Sequence, residues 1–504
     1  MNQQLKELRD FIATLDRTAP LMKVDDVLTE LSSAKDAEVE VDLAQPLYPF
    51  QRAGVAYALK QKRVIIGDEM GLGKTPQGIA VCAHAVKHGH RALIVVPPSL
   101  RINWQRSIAQ FAPWLSVTVV KGNKPYRYQA TDVTIIGDSN VDAWSTTLAD
   151  KKFGCLVVDE AHRAKNHKSG RTKGIDYIAR SIRSEGYVVL LSGTIIVNRP
   201  NELVSPLQII GRLGTVFGTR YSFLQRYCDP KHNGWGWVYN GASNTAELNK
   251  ILRGTCYVRR KKEDVLTELP PKRRAQYEIE VDEVDLLAYR HAEEDFKDFV
   301  IQNGGANAWQ RIAKAEVISR LTALRRLLGL AKIASVVEHV DELVEQGEQV
   351  IVFAHHKDVI TKYSEAFAKH GVVKIVGGLS DEQKDEAVTK FQSGEARVFI
   401  GQFTAAGVGL TLTASSNVVF GEIPWTPAEA TQAEDRAHRI GQSNAVVAWW
   451  LIAADAERPT IDDRLWALLN AKHETVSAVL DGIATDLGAE GSTAQAIIEG
   501  ILGA

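Results

Sequence analysis

RVIIGDEMGLGKT, residues 63–75, is a short β-branched run, then a glycine loop, then the start of helical sequence. Gly71 and Gly73 lack the Cβ that would keep successive backbone N–H groups from curling around phosphate oxygens. Lys74 is spaced to reach β- and γ-phosphates, and Thr75 offers a hydroxyl to Mg²⁺. The strict GxxxxGK[ST] pattern fails at its first glycine, where Asp68 stands. The context of strand, loop and helix outweighs that departure and points to a nucleoside-triphosphate site in an α/β domain.

Further β-branched runs surround this loop. RALIVV (91–96), SVTVV (116–120), DVTIIG (132–137), CLVVDE (155–160) and YVVLLSG (187–193) alternate with helical or polar stretches. Such alternation predicts a mostly parallel sheet with helices on both faces. A second series follows: QVIVFA (349–354), VVKIV (372–376), RVFIG (397–401), NVVFG (417–421) and VVAWWLI (446–452). It contains no GKT, so one lobe is expected to bind nucleotide and the other to complete the site. The expected divisions are a helical extension over 1–45, an ATP-binding lobe over 46–225, a helical insertion and connector over 226–345, a second lobe over 346–482 and a tail over 483–504. Leu5, Leu8, Phe11, Ile12 and Leu15 give residues 1–18 helical spacing.

The bulk numbers exclude more than they establish. The 504 residues carry 60 Lys and Arg against 61 Asp and Glu, a net charge of −1. Total charge therefore gives no argument for nucleic acid, and any such surface must be a local track. One candidate is RGTCYVRRKKEDVLTELPPKRR at 253–274, with eight Arg and Lys against three Asp and Glu; it would line such a track or brace the lobes. The four cysteines at 82, 155, 228 and 256 form no CxxC pair, which argues against a zinc module or disulfide framework. No apolar run is long enough for a bilayer and the start is polar, so no membrane partner and a reducing, cytoplasmic compartment are expected (nuclear in a eukaryote).

Other segments supply chemistry the loop lacks. VVDEAH at 157–162 ends a strand in two acids: Asp159 to hold Mg²⁺ and Glu160 to orient or deprotonate the attacking water. Gln51, behind Tyr48, Pro49 and Phe50, has the donor and acceptor needed to read an adenine edge. Ser192 and Thr194 follow the strand YVVLL and would sense the γ-phosphate. Arg436 and Arg439 in QAEDRAHRIGQ (432–442) are three apart, which a helix would put on one face, as a source of positive charge during phosphoryl transfer. Gly407 and Gly409 in TAAGVGLTLT (404–413) suit close approach to a phosphate backbone, with Thr404 and Thr411 donating hydroxyls. Ser99, Arg101, Asn103 and Trp104 are expected in a loop facing DNA phosphates. Trp235 and Trp237 would lock a long insertion as a local apolar cluster or stack on bases.

Taken together, DEMGLGKT (68–75), DEAH (159–162) and QAEDRAHRIGQ resemble superfamily 2 nucleic-acid translocases of the Swi/Snf type. YCDPKHNGWGWVYNGASNTAELN (227–249), RRKKEDVLTELPPK (259–272) and VFAHHK (352–357) are similar to the branch of annealing helicases that remodel stalled forks. The resemblance covers about 46–480. It implies an α/β fold of two tandem RecA-like domains with parallel sheets and helical insertions between them. It further implies a monomeric, DNA-stimulated ATPase, using ATP and Mg²⁺, that tracks along double-stranded or forked DNA. By the same likeness Gln51, Asp68, Met70, Gly71, Leu72, Gly73, Lys74 and Thr75 bind nucleotide, and Asp159 and Glu160 drive hydrolysis with Lys74, Arg436 and Arg439. His162 and Gln432 couple the lobes together with Ser192 and Thr194. Where the family usually has proline after Thr194, this chain has Ile195. The annealing relatives carry additional DNA-binding modules, and none is expected in the short flanks here. A strand-separating or annealing helicase and an ATP-holding DNA scaffold of weak turnover are the alternatives.

Overall fold

Each β-branched run read from the sequence forms a strand, and every one of them pairs in parallel. The structure, a computed structural model, describes residues 26–193, 195–196, 199–232, 236–303, 314–406, 410–470 and 493–502. The expected helix over 1–18, Thr194, Trp235, Gly407 and Gly409 lie outside the described residues. The chain divides into two compact units, the first running to Thr267 and the second starting at Glu268.

In the first unit the strands are β1 (Arg63–Ile66), β2 (Ala92–Val96), β3 (Val117–Val120), β4 (Val133–Gly137), β5 (Cys155–Asp159) and β6 (Tyr187–Leu191), then β7 (Lys231–His232), β8 (Trp237–Val238) and β9 (Tyr257–Val258). Seven of them form one sheet in the order β3-β4-β2-β5-β6-β1-β9, while β7 and β8 make a small antiparallel pair. Strands β2, β4 and β6 are buried along their whole length, as a parallel sheet covered on both faces requires. The register sets up the site. Ile66 of β1 and Asp159 of β5 both stand opposite Leu191 of β6. Three carboxyl ends therefore finish level, and the segments that follow them emerge at the same height.

The second unit holds β10 (Lys272–Ile279), β11 (Val350–Ala354), β12 (Val372–Ile375), β13 (Val398–Gln402), β14 (Asn417–Phe420) and β15 (Val446–Ala453), in the order β10-β15-β14-β11-β13-β12 and all parallel. Two long helices, Glu283–Gln302 and Lys314–Ala331, precede β11. The sequence TAQAIIEGIL forms a closing helix, Thr493–Leu502. Its Ile497, Ile498 and Ile501 are buried in the same core as Leu286, Leu324 and Trp450.

Four strands escaped the sequence reading: the short pair β7 and β8, and then β9 and β10. Strand β9 is only Tyr257–Val258, caught inside a charge run. Strand β10 reads KRRAQYEI and is exposed at half of its positions. It is an edge strand paired only with β15, and an edge tolerates charge that a central strand would not. The 226–345 segment is shared between the units, since β9 joins the first sheet and β10 the second. No helix among the described residues is long and apolar enough to cross a membrane.

Ile498→Ala removes buried methylenes from the second unit's core, where the side chain is 1% exposed. The expected cost is about 2–4 kcal/mol, read from urea unfolding followed by the fluorescence of Trp450 and Trp466.

Candidate active site

The glycine loop leaves β1 at Gly67, whose N–H donates to the Val258 carbonyl at 2.7 Å. Gly71 and Gly73 take φ of 84° and 70°, the left-handed region that glycine enters without strain. Gly73 caps the helix Lys74–Lys87, so the loop ends on the free N–H groups of a helix start. A Cβ on Gly73 would meet Gln51 Nε2 at 2.4 Å. The half-buried Lys74 folds back, its Nζ donating to the carbonyls of Asp68 at 2.8 Å and Glu69 at 3.3 Å. Burial lowers its pKa, against the pull of Glu160, Asp68 and Asp159. Thr75 lies in the first turn of that helix.

Asp68, the residue that breaks the glycine pattern, anchors the loop. Arg260 donates to it from Nε at 2.9 Å, Nη2 at 2.9 Å and its own backbone N–H at 3.1 Å. Gln77 Nε2 adds a fourth bond at 2.9 Å. Both ion-pair side chains are essentially sealed from water, at 1% and 0% exposure. Arg260 also donates to the Phe50 carbonyl. Arg259 beside it donates to the carbonyls of Gly67 at 3.0 Å and Gly193 at 3.1 Å, and the Lys262 N–H reaches Glu69 Oε2 at 2.7 Å. Arg259, Arg260 and the Lys262 backbone are thus turned inward onto the loop and are no solvent-facing track. The strand β9 explains this: Ile66 stands opposite Val258, so residues 259 and 260 must fall beside 67 and 68. Arg259 and Arg260 were missed as loop residues because a run of four like charges looks uniform until that strand is known.

Gln51 is buried beneath the loop. Its Nε2 donates to the carbonyls of Leu72 at 3.0 Å and Gly73 at 3.3 Å, and its Oε1 accepts from the Tyr48 N–H at 3.0 Å. In this geometry the amide holds the loop, and any reading of a base must begin by releasing those bonds. Leu72 is fully buried and Met70 nearly so, packed so close to Gly193 that a Cβ there would meet Met70 Cγ at 2.6 Å.

At the end of β5, Asp159 Oδ2 accepts from Trp104 Nε1 at 2.7 Å and Oδ1 from the Glu160 N–H at 2.9 Å. Burial and then the neighbouring Glu160 charge push its pKa up to about 6, against those two donors. Glu160 sits at φ 49°, a left-handed conformation costly for a residue with a Cβ. Its Oε2 is 3.3 Å from His162 Nδ1, and the same nitrogen lies 3.1 Å from Ser192 Oγ. Ser192 is fully buried just past β6. The structure therefore brings together Lys74, Asp159, Glu160, His162 and Ser192. A half-buried carboxylate with a raised pKa, beside a second acid and a glycine cradle, suits a divalent cation carried by an anionic phosphate chain.

In the second unit the helix Pro427–Glu434 stops before Arg436. Arg436 and Arg439 thus lie in the turns that follow and not on a shared helix face, because Glu434 and Asp435 are pulled inward. Glu434 accepts from Arg274 Nε at 2.7 Å and pairs with Lys272 Nζ at 2.8 Å, while Asp435 lies 3.2 Å from Lys272. Burial works against the Lys272 ammonium, but Asp435 and Glu434 outweigh it and hold the pKa above its ordinary value. The two arginines still converge. Arg439 Nη1 donates to the Leu410 carbonyl at 2.8 Å, Arg436 Nη1 to the same oxygen at 3.4 Å, and Arg436 Nε to the Gln432 carbonyl at 3.0 Å. Burial lowers the Arg439 pKa, with Asp435 opposing.

The expected DNA-facing loop after β2 is instead a 3₁₀ turn, Pro98–Leu100, leading into the helix Arg101–Phe111. Ser99, Arg101 and Asn103 remain partly or fully accessible, but Trp104 is completely buried. Thr404 and Thr411 are exposed. Trp237 is also exposed and stands edge-on to His232.

A phosphate loop, an acid pair and a histidine–serine contact on adjacent level strand ends define a helicase-like nucleoside triphosphatase. The chain belongs to the SNF2 family: it matches the SNF2-related domain over residues 50–335 and the helicase conserved C-terminal domain over 331–441. It is 34% identical over 453 residues to the SWI/SNF-related matrix-associated actin-dependent regulator of chromatin subfamily A-like protein 1 of Xenopus laevis, covering 88% of this chain and 45% of that protein. It is 33% identical over 466 residues to the human DNA annealing helicase and endonuclease ZRANB3, covering 89% of this chain and 42% of that protein. The chain thus spans less than half the length of these curated relatives. Among solved structures, the Sulfolobus solfataricus SWI2/SNF2 ATPase core in complex with dsDNA aligns at a TM-score of 0.43 with 23% identity, over 88% of this chain and 95% of that one.

Two outcomes follow from the buried charges. Arg260→Met strands the Asp68 carboxylate and is expected to destabilise the first unit by roughly 3–5 kcal/mol in urea unfolding. Asp159→Asn should do the reverse. Its parent carboxyl titrates near 3.8 when unfolded and about 6 when folded, so the folded chain retains a proton in that window and stability falls as pH rises through it. Without nucleotide, the Asn variant should therefore be more stable by about 1–3 kcal/mol at pH 7.5, with the margin gone near pH 4 and hydrolysis lost.

Proposed function

We propose that this chain is an ATP-dependent translocase on double-stranded DNA, whose ATP hydrolysis uses Mg²⁺ and is stimulated by the DNA. The observation that carries the reading is the level register of β1, β6 and β5, which gathers the phosphate loop, Ser192 and the acid pair in a chain of the SNF2 family. Support for DNA comes from the relatives, one of them named a DNA annealing helicase.

Bound ATP with Mg²⁺ supplies the electrophilic γ-phosphorus and a cation that neutralises its oxygens. The rest falls to this chain. Backbone N–H groups from Gly71 to Thr75 cradle the phosphates. Lys74 exchanges the Asp68 and Glu69 carbonyls for phosphate oxygens, an exchange made easier because carbonyls are weaker partners for an ammonium than an anion is. The Thr75 hydroxyl and the Asp159 carboxylate would hold the cation. Glu160 orients the attacking water and accepts its proton. His162, in contact with both Glu160 and Ser192, relays the state of the site, with Thr194 and Gln432 as the other coupling residues. Gln51 reads the base after leaving the loop carbonyls. Arg436 and Arg439 are the proposed positive charge for phosphoryl transfer. Ser99, Arg101, Asn103, Thr404 and Thr411 are the proposed contacts to DNA phosphates, which position without reading sequence.

The test is ATPase rate against duplex, forked and single-stranded DNA at fixed salt, since phosphate-backbone affinity falls steeply with ionic strength. Duplex DNA should raise the rate at least about tenfold, and triplex displacement should proceed without unwinding of tailed duplexes. Strong unwinding would indicate a strand-separating helicase, and a flat response to DNA an ATP-holding scaffold. Lys74→Ala should lose nucleotide binding. Arg439→Ala should bind a fluorescent ATP analogue yet hydrolyse ATP about 10³-fold more slowly; normal turnover would remove the arginines from the site.

A further inference from the structure

Trp104, expected from the sequence in a DNA-facing loop, instead touches two elements of the nucleotide site at once. It stands on the helix Arg101–Phe111, whose approach and first turn carry Ser99, Arg101 and Asn103. From there the side chain runs inward and is fully buried. Its Nε1 donates to Asp159 Oδ2 at 2.7 Å. Its far ring edge lies against Gly78 in the helix that begins at Lys74, where a Cβ would meet Trp104 Cη2 at 2.9 Å, Leu191 Cδ1 at 3.0 Å and Val157 Cγ1 at 3.3 Å. The seat is cut to the indole, and glycine on the phosphate-loop helix is what makes room for it.

A ring needed only for packing would be served by phenylalanine, which brings no donor into the core. The indole N–H can only donate, and here it is aimed at one oxygen of one carboxylate. With the far ring edge set against Gly78 and the N–H bonded to Asp159, a shift of the helix Arg101–Phe111 is carried by the rigid indole into the nucleotide site. It must move the ring and, through a single bond, the Asp159 carboxylate.

We propose that Trp104 is a positioning residue that transmits engagement of DNA phosphates by the helix Arg101–Phe111 to the orientation of Asp159. The inference rests on the translocase reading, and it adds the route by which DNA accelerates hydrolysis. One side chain carries the signal within the first unit.

The test compares wild type, Trp104→Phe and Gly78→Ala; the last keeps the N–H but crowds the ring. Three quantities are measured: duplex-DNA affinity, the ratio of DNA-stimulated to DNA-free kcat, and the Mg²⁺ concentration giving half-maximal binding of a fluorescent ATP analogue. Trp104→Phe should leave DNA affinity within about twofold, cut the stimulation ratio about tenfold and raise the half-saturating Mg²⁺ severalfold, with Gly78→Ala moving both in the same direction. A purely structural role would instead lower thermal stability and leave the ratio intact. A readout independent of turnover uses ¹⁵N-indole-labelled wild type: the Trp104 N–H signal, identified by its loss in Trp104→Phe or its displacement in Gly78→Ala, should shift when duplex DNA is added. An unmoved signal in DNA-bound protein, or an unchanged stimulation ratio in Trp104→Phe, overturns the proposal. Should wild type itself show no DNA stimulation, the translocase reading fails and the inference falls with it; stimulation that survives in Trp104→Phe sinks the inference alone.

Discussion

The buried pair of Asp68 and Arg260 is the constraint on which the first unit's site depends. Neither charge reaches water, so each is tolerable only because the other is there with further hydrogen bonds to complete it. The pair fixes more than itself. Arg260 reaches the Phe50 carbonyl, at the start of the helix that carries Gln51, and Gln77 ties Asp68 to the helix behind the loop. Gly54 is glycine for the same reason: a Cβ there would meet Gln77 Oε1 at 2.0 Å and Arg260 Nη2 at 2.5 Å. A carboxylate where the usual loop pattern has glycine is therefore the root of the cradle and not a ligand-facing group. Arg rather than Lys suits it, since only a planar guanidinium can grip two carboxylate oxygens and a carbonyl together.

Around that anchor the site is poised and not relaxed. Lys74 rests on loop carbonyls, Asp159 carries a carboxyl raised by burial and by Glu160, and Glu160 holds a left-handed backbone. Each is a modest local cost that a bound cation and phosphates would offset, so that nucleotide occupancy would stabilise one arrangement of the loop. The second unit shows the opposite treatment of charge. Lys272 and Arg274 pair internally with Glu434, and Lys272 with Asp435, while Arg436 and Arg439 donate to the carbonyl oxygens of Gln432 and Leu410.

Much of this was legible beforehand, and the exceptions share a cause. Central strands such as ALIVV and VTIIG announce themselves because both faces are buried and the whole run must be apolar. The loop and the acid pair were legible because their chemistry needs particular residues at strand ends. Short or edge strands were not: β9 has two residues, and β10 is charged because one side of it lacks a neighbour. Missing β9 hid the destination of Arg259 and Arg260, since only its pairing with β1 reveals that they sit beside Asp68. Trp104 was misplaced for a related reason. Local sequence puts it after a strand and two prolines, where a loop is reasonable, and only the position of Asp159, 55 residues onward, gives its N–H a partner. Arg436 and Arg439 were grouped correctly by spacing and wrongly by helix, because the inward pull on Glu434 and Asp435 comes from residues 272 and 274, far back in the chain.

The closure of β1 by β9 bears on how the protein is made. Asp68 and Arg260 are 192 residues apart. During synthesis at about 5–20 residues per second, the nucleotide loop therefore leaves the ribosome roughly 10–40 seconds before the arginine that secures it. For that interval one rim of β1 has no neighbour and an aspartate destined for the interior has no counter-charge. The nascent first unit is thus exposed to mispairing along that rim until residue 260 has emerged and the buried pair can close.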